Sequence, residues 1–291
     1  MYNADLFSEE RMAELVGQYI AILRQVTARA ATRVSDLDMT SGRTCACLPD
    51  PRAPLFVASH PSIGERLREH AAHRGDAIAV ADRRRPWTFA QLDRASDGLA
   101  ATLRAGGVGA GDVVAVYAHR SAPFVVALSG ILKSGAAFAV LDPAHPEDRL
   151  AHCVAATRPA AFLTIADAGE VPALLRAALS GCLQISVDSA IERDVILKAN
   201  VARRPDDLAY VAFTSGTTGG VKAVAGSERP LTHVLEWHRA SFGLGAGDRF
   251  CLLSGLGHDP ALRDIFAPLW VGATLLIPGQ DELTAPDRLA A

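Results

Sequence analysis

The chain has 291 residues, 49% of them hydrophobic, which is enough for one large or two modest domains with a real core and too apolar for global disorder. Its 29 lysines and arginines against 32 aspartates and glutamates give a net charge of −3, without the basic excess of a nucleic-acid binder, so no polyanionic partner is expected. The cysteine count of 5 is odd and its one close pair, Cys45 and Cys47, has no histidine cluster beside it, which fits a reduced cytoplasmic setting better than a disulfide framework or a zinc site.

The opening segment Met1 to Glu10 is polar and acidic and has no secretory signal. From about Ser8 to Arg29, Met12, Leu15, Val16, Tyr19, Ile22, Leu23 and Val26 recur at intervals of three and four, which predicts an amphipathic helix. Ser8 is placed to cap it, and Glu9 and Glu10 suit its positive end. Residues 40–61 carry Gly42, Pro49, Pro51, Pro54 and Pro61 without periodicity and read as a linker.

From Ser62 onward helical patterns alternate with short apolar runs, which predicts an α/β fold of parallel sheets flanked by helices. Ser62-Ile-Gly-Glu65 and Thr88-Phe-Ala-Gln91 have capping-box spacing at helix starts. Strands are expected at Ala77–Val80, Val113–Tyr117, Ala136–Leu141, Ala161–Ile165, Leu183–Val187, Leu208–Phe213, Phe250–Leu253 and Thr274–Ile277. Helices are expected at Phe89–Arg104, Ala122–Lys133 and Pro230–Phe242, among others. The longest apolar stretch, Val125 to Leu141, is interrupted by Lys133 and two glycines, so it reads as a buried helix entering a buried strand and not as a membrane span.

Leu208 to Phe213 empties into Thr214-Ser-Gly-Thr-Thr-Gly-Gly-Val-Lys222, where every side chain before Val221 is small. Such a loop lets backbone N–H groups close on an anion, with Thr214, Ser215, Thr217 and Thr218 offering hydroxyls and Lys222 a charge. By composition alone a Ser/Thr/Gly cluster after a strand is more often a plain surface turn than a ligand site. It is not a Walker A loop, because Gly-Lys-Ser/Thr is missing. The triplets Gly107/Gly109/Gly111 and Gly243/Gly245/Gly247 lack the dinucleotide-binding spacing and read as helix-to-strand turns.

In its order of residues, Thr-Ser-Gly-Thr-Thr-Gly-x-x-Lys resembles the phosphate loop of adenylate-forming enzymes, specifically nonribosomal peptide synthetase adenylation domains. Trp87-Thr-Phe-Ala-Gln-Leu92 is similar to the first core motif of that family and Leu132 to Pro143 to the second. The chain departs where the family has Pro-Lys-Gly and it has Val221-Lys222-Ala223, which alters loop stiffness but leaves the cradle of Thr214, Ser215, Gly216, Thr217, Thr218 and Gly219 in place. The first helix, with its flanks Tyr2 to Phe7 and Arg33 to Leu37, resembles the closing helix of a condensation domain. The resemblance implies residues 1–39 as a condensation-domain tail, 40–61 as the linker and 62–291 as the N-terminal part of an adenylation domain.

A second stretch, Ser254-Gly-Leu-Gly-His-Asp-Pro-Ala-Leu-Arg-Asp-Ile-Phe266, contains Asp259 before Pro260, a strong helix start in which Asp caps and Pro takes the first position. Arg263 lies one turn further, so Asp259 and Arg263 either pair on the helix surface or face one space together. The segment is similar to the fourth adenylation motif, with His258 in place of the usual aromatic residue and Asp259 as the acid that pairs with a substrate α-ammonium. Asp259, Pro260 and Arg263, with Gly226 to His233 before them, resemble α-aminoadipate-activating domains, which implies an acidic amino acid whose side-chain carboxylate meets Arg263.

The resemblance implies that an amino acid is activated with Mg·ATP as aminoacyl-AMP and passed to the phosphopantetheine thiol of a peptidyl carrier domain, beside a condensation domain of the same synthetase. It places the adenine and ribose motifs and the catalytic lysine beyond Ala291. No catalytic residue and no metal ligand is therefore assigned here, and this stretch alone is expected not to complete the reaction. An acyl-CoA ligase, or an inactive fragment that only docks, are the alternatives.

Overall fold

The computed structural model describes residues 2–40, 44–45, 48–50, 58–191, 201–215, 221–257 and 259–283, and the chain divides into two units, Met1–Val57 and Ala58–Ala291. The division falls inside the stretch 40–61 read as a linker.

In the first unit α1 spans Glu9–Ala28, with the Ser8 hydroxyl accepting a hydrogen bond from Arg11 N and both expected glutamates in the first turn. The Gln25 amide folds the following chain back along the helix, donating to the Asp38 carbonyl at 2.6 Å and accepting from Asp38 N at 2.9 Å. No residue of α1 is buried and its apolar stripe is open, with Tyr19 62% exposed. The periodicity thus makes the helix without giving this unit a core.

The second unit runs α2 (Ile63–Arg74), β1 (Ile78–Ala81), β2 (Pro86–Thr88), α3 (Phe89–Ala105), β3 (Val113–Tyr117), α4 (Ala122–Ser134), β4 (Ala137–Leu141), α5 (Glu147–Thr157), β5 (Ala161–Thr164), α6 (Ala173–Ala178), β6 (Leu183–Ser186), α7 (Val187–Ile191), β7 (Leu208–Ser215), β8 (Val221–Ser227), α8 (Glu228–Phe242), β9 (Arg249–Cys251), α9 (Pro260–Val271), β10 (Thr274–Leu276) and α10 (Gln280–Leu283). One sheet has the order β2-β1-β10-β9 and the other β6-β5-β3-β4-β7-β8. Both are parallel except at one edge, where β2 runs against β1 and β8 against β7. Each strand expected from the apolar runs is present. The edge strands β2 and β8 are additions, because a strand with one side open need not carry a continuous apolar run.

Both capping boxes form. Ser62 and Glu65 exchange bonds of 3.1 and 2.7 Å, and Thr88 and Gln91 bonds of 3.2 and 3.0 Å. The helix α4 is buried along nearly its whole length and passes straight into β4. Among the described residues no helix is long and apolar enough to cross a membrane. The lysine that interrupts its apolar run is fully buried: Lys133 Nζ donates to Asp93 Oδ1 at 2.5 Å and Asp97 Oδ1 at 2.8 Å, both on α3. Asp97 also receives Arg68 of α2, so a small charge network locks three helices together.

A second buried pair fixes the amino ends of the central strands. Arg203 Nε donates to Glu228 Oε2 at 2.7 Å, both side chains being 4% exposed. The rest of the guanidinium donates to the carbonyls of Leu132, Ala136 and Leu208, and Glu228 Oε1 accepts from Ile63 N at 2.8 Å. The pair therefore joins the end of α4, the lead-in to β4, the first residue of β7, and the starts of α2 and α8. Removing one partner leaves the other charge buried and alone, so Arg203→Met is expected to cost about 3–5 kcal/mol in urea unfolding. A loss under about 1 kcal/mol would show that the pair is dispensable.

Candidate functional site

The strand β7 leads to the first group of site residues. The sequence places the loop from Thr214, but β7 continues to Ser215, and Thr214 and Ser215 stand opposite Lys222 and Val221 in an antiparallel register. Thr214 and Lys222 are exposed, and Lys222 makes no ion pair among the described residues. Gly216, Thr217, Thr218 and Gly219 lie outside the described residues. Val221 and Ala223, where the loop wording departs from the adenylation pattern, are ordinary strand positions in β8. A glycine or proline at either place would weaken that pairing.

The second group gathers at the start of α9. Pro260 occupies the first turn as expected, but Asp259 does not cap the helix. Its backbone is already helical, with φ −54° and ψ −33°, and its side chain makes no cap hydrogen bond. A capping side chain needs an extended backbone at that residue to reach back to the next turn's N–H groups, which the helical dihedrals here prevent. His258 lies outside the described residues.

Arg263 does not pair with Asp259 on the helix surface. Its guanidinium bonds the adjacent Asp264 Oδ1, at 2.9 Å from Nη2 and 3.3 Å from Nε, and the side chain is 50% exposed. Asp264 Oδ2 accepts from Ser254 N at 3.1 Å, and Arg120 reaches the Ser254 carbonyl at 2.8 Å. Burial pushes the Asp264 carboxyl up, but the hydrogen bonds from Ser254 and Arg263 outweigh it and hold the group below its ordinary value.

Two hollows adjoin these residues. The smaller, about 20 Å³, lies between β4, β7 and the start of α9, lined by Phe138, Tyr210, Phe213, Leu256, Asp259 and Leu262 among others. Its walls are mostly apolar, with the exposed Asp259 and the half-buried Tyr210 among the residues that line it, and its volume suits a water or an ammonium group. The larger, about 740 Å³, opens at the carboxyl ends of β1, β3 and β4 and includes Arg84, His119, Arg120, Asp142, His145 and Asp167. Arg84 pairs there with Asp167, and burial pushes the His119 imidazole down. None of the expected site residues that lie among the described residues lines it. The smaller hollow offers the simpler chemistry: among the described residues the Asp259 side chain has no hydrogen-bond or ion-pair partner and stands beside apolar walls where it can meet a cation, whereas in the larger one Arg84 is already paired with Asp167. Among the described residues no group of three His, Cys, Asp or Glu side chains is placed to hold a metal ion.

The sequence reading passed over Tyr210 and Asp264. Tyr210 was legible only as one aromatic residue in a strand run, and Asp264 only as a charge beside another.

Residues 67–291 match the family of AMP-binding enzymes, and the chain belongs to that family. It is similar to the large subunit of L-2-aminoadipate reductase from Eremothecium gossypii, at 32% identity over 100% of this chain and 23% of the reductase subunit. It is also similar to tyrocidine synthase 3 from Brevibacillus parabrevis, at 28% identity over 99% of this chain and 4% of the synthase. Among solved structures, the AMPPNP-bound form of the nonribosomal peptide synthetase FmoA3 superposes with a TM-score of 0.77 at 27% identity, covering 98% of this chain and 30% of that one. The parallel sheets and flanking helices are thus those of an adenylation-domain lobe, and the chain spans less than a quarter of the length of the reductase subunit it resembles.

Because Asp259 gives no cap bond, Asp259→Ala is expected to leave unfolding free energy unchanged to within about 0.5 kcal/mol, whereas Thr88→Ala, which removes a real cap, should cost about 1 kcal/mol. Denaturant melts of both variants check this, and equal losses would mean that Asp259 has a structural role.

Proposed function

We propose that this chain is the part of an amino-acid-activating synthetase that holds the substrate ammonium and the triphosphate. The observation that carries the reading is the Asp259 carboxylate, which opens a helix without capping it and shares an apolar hollow beside the end of the phosphate-loop strand. The amino-acid carboxylate attacks the α-phosphorus of ATP, the bond to the bridging oxygen breaks, and pyrophosphate leaves with an aminoacyl-AMP formed. This chain's share is positioning and charge: Thr214, Ser215, Gly216, Thr217, Thr218, Gly219 and Lys222 hold the phosphates, and Asp259 holds the ammonium. Mg²⁺ bound with the nucleotide would supply positive charge to offset that of the phosphates.

The substrate is an acidic amino acid of the 2-aminoadipate kind. Arg263 reads the side-chain carboxylate, with His258 and Pro260 bordering the same substrate. The Arg263 side chain is half exposed where it meets Asp264, and Asp264 keeps its bond from Ser254 N when the guanidinium turns to a substrate. The acyl group then passes to the phosphopantetheine thiol of a carrier domain. Residues 1–39 close a condensation domain, 40–61 link it, and 62–291 begin the adenylation domain, in a cytoplasmic synthetase.

ATP–pyrophosphate exchange by the full-length protein against a panel of amino acids, fatty acids and hydroxy acids tests the reading. Exchange is expected with an acidic amino acid, and exchange driven by fatty acids alone would contradict it. Loss of a charge-assisted hydrogen bond costs about 1.5–3 kcal/mol, so Arg263→Ala should lower kcat/KM about 10- to 150-fold for the acidic substrate and leave a neutral amino acid nearly unchanged. Equal losses for both would remove Arg263 from the substrate site.

A further inference from the structure

The phenol of Tyr210 occupies a seat that only one residue type opposite it permits. In the β7–β8 ladder Tyr210 stands opposite Gly226, just past an irregularity in the register that follows Leu208. A methyl group added at Gly226 would lie 2.1 Å from Tyr210 Cζ, with Cε1 and Cε2 at 2.4 and 2.6 Å, so the outer end of the ring lies across the glycine backbone. Gly226 has no positive φ, so it is needed there for space and not for conformation. On its inner side the ring stacks on Phe138 at 6.1 Å and 25°, and Phe138 meets Phe266 of α9 at 6.1 Å. Glycine, tyrosine and two phenylalanines thus form one column from β8 through β7 and β4 to the helix that Asp259 begins.

This column aims a polar group. The ring is half-buried, it lines the hollow that contains Asp259, and its hydroxyl has no hydrogen-bond partner among the described residues. A tyrosine needed only for packing would fit equally well as phenylalanine, so the hydroxyl is what the position adds.

We propose that Tyr210 is a second substrate-positioning residue of the amino-acid site, its phenol oxygen accepting a hydrogen bond from the α-ammonium that Asp259 neutralises, and that Gly226 is glycine to give the ring this place. The inference rests on the amino-acid-activating function proposed above. Burial and then the charge of Asp259 hold the phenol above its ordinary value, so it stays protonated through neutral pH. A neutral phenol keeps its oxygen lone pairs for an ammonium and adds no second negative charge to repel the carboxylate that must reach ATP. The hollow of about 20 Å³ has room for that one group, leaving the carboxylate and side chain outside it.

The test is Tyr210→Phe in the full-length protein, which keeps the ring, the stack and the fit over Gly226. In ATP–pyrophosphate exchange the KM for the amino acid is expected to rise about tenfold, with the KM for ATP and the melting temperature unchanged. Binding of the corresponding acid without its α-amino group, measured by competition, is expected to be the same in wild type and variant; a raised amino-acid KM together with unchanged binding of that acid is a combination a merely structural tyrosine would not produce. Gly226→Ala, which must push the ring out of its seat, should raise the same KM at least as much. An amino-acid KM within twofold of wild type in Tyr210→Phe would overturn this inference alone. No exchange with any amino acid by the wild-type protein would overturn the proposed function and this inference with it.

Discussion

The buried pair of Arg203 and Glu228 is the constraint on which the arrangement of the larger unit rests. Five structural elements meet it at one end of the second sheet, each contributing a backbone group or carboxylate to the same buried cluster. A buried ion pair adds little net stability over a well-packed apolar alternative. Its effect is geometric: carbonyls from three separate places converge on one planar guanidinium, which fixes the positions of the amino ends of β4 and β7. The Lys133 network does the same between helices, with a point charge in place of a fork.

With the amino ends fixed, strand geometry carries the constraint to the other end. The eight residues of β7 extend roughly 25 Å at about 3.3 Å per residue, so Thr214 and Ser215 emerge at a set height beside β4. The aromatic column across β8, β7, β4 and α9 then sets the lateral distance from that strand end to Asp259. Thr214, where the proposed phosphate loop begins, and Asp259, the proposed ammonium acid, are 45 residues apart in sequence and are held together by these two devices. That is the placement a ligand carrying both a carboxylate and an amine needs if its carboxylate is to meet a nucleotide.

Most of the fold was legible in the sequence because most of it is carried by short-range signals. Buried parallel strands are near-continuous apolar runs, so β3, β4, β5 and β7 stood out, and the capping boxes at Ser62 and Thr88 are local hydrogen-bond patterns written in four residues. What escaped depends on partners distant in the chain or on dihedral angles. β8 has Lys222 and Gly226 within it and an exposed face, so only its pairing with β7 makes it a strand. Arg203 sits in the polar stretch Arg203-Arg204-Pro205, which resembles solvated loop until Glu228 arrives from the far side of the hairpin. Asp259 before Pro260 spells a cap, but a helical ψ at Asp259 takes the carboxylate away from that task. Arg263 was legible as a charge one turn from Asp259, and its engagement with the adjacent Asp264 was not, because the choice is made by Ser254, whose N–H holds Asp264 in place.

The claim that joins these features is that one edge of the second sheet receives both the nucleotide and the amino acid. A crystal structure of the full-length protein with an acidic amino acid and a non-hydrolysable ATP analogue tests it most directly. The account predicts the triphosphate between the ends of β7 and β8 and the α-ammonium within hydrogen-bonding distance of Asp259. Nucleotide bound instead in the larger cavity among Arg84, His119 and Arg120, with the Asp259 hollow left to solvent, would contradict it.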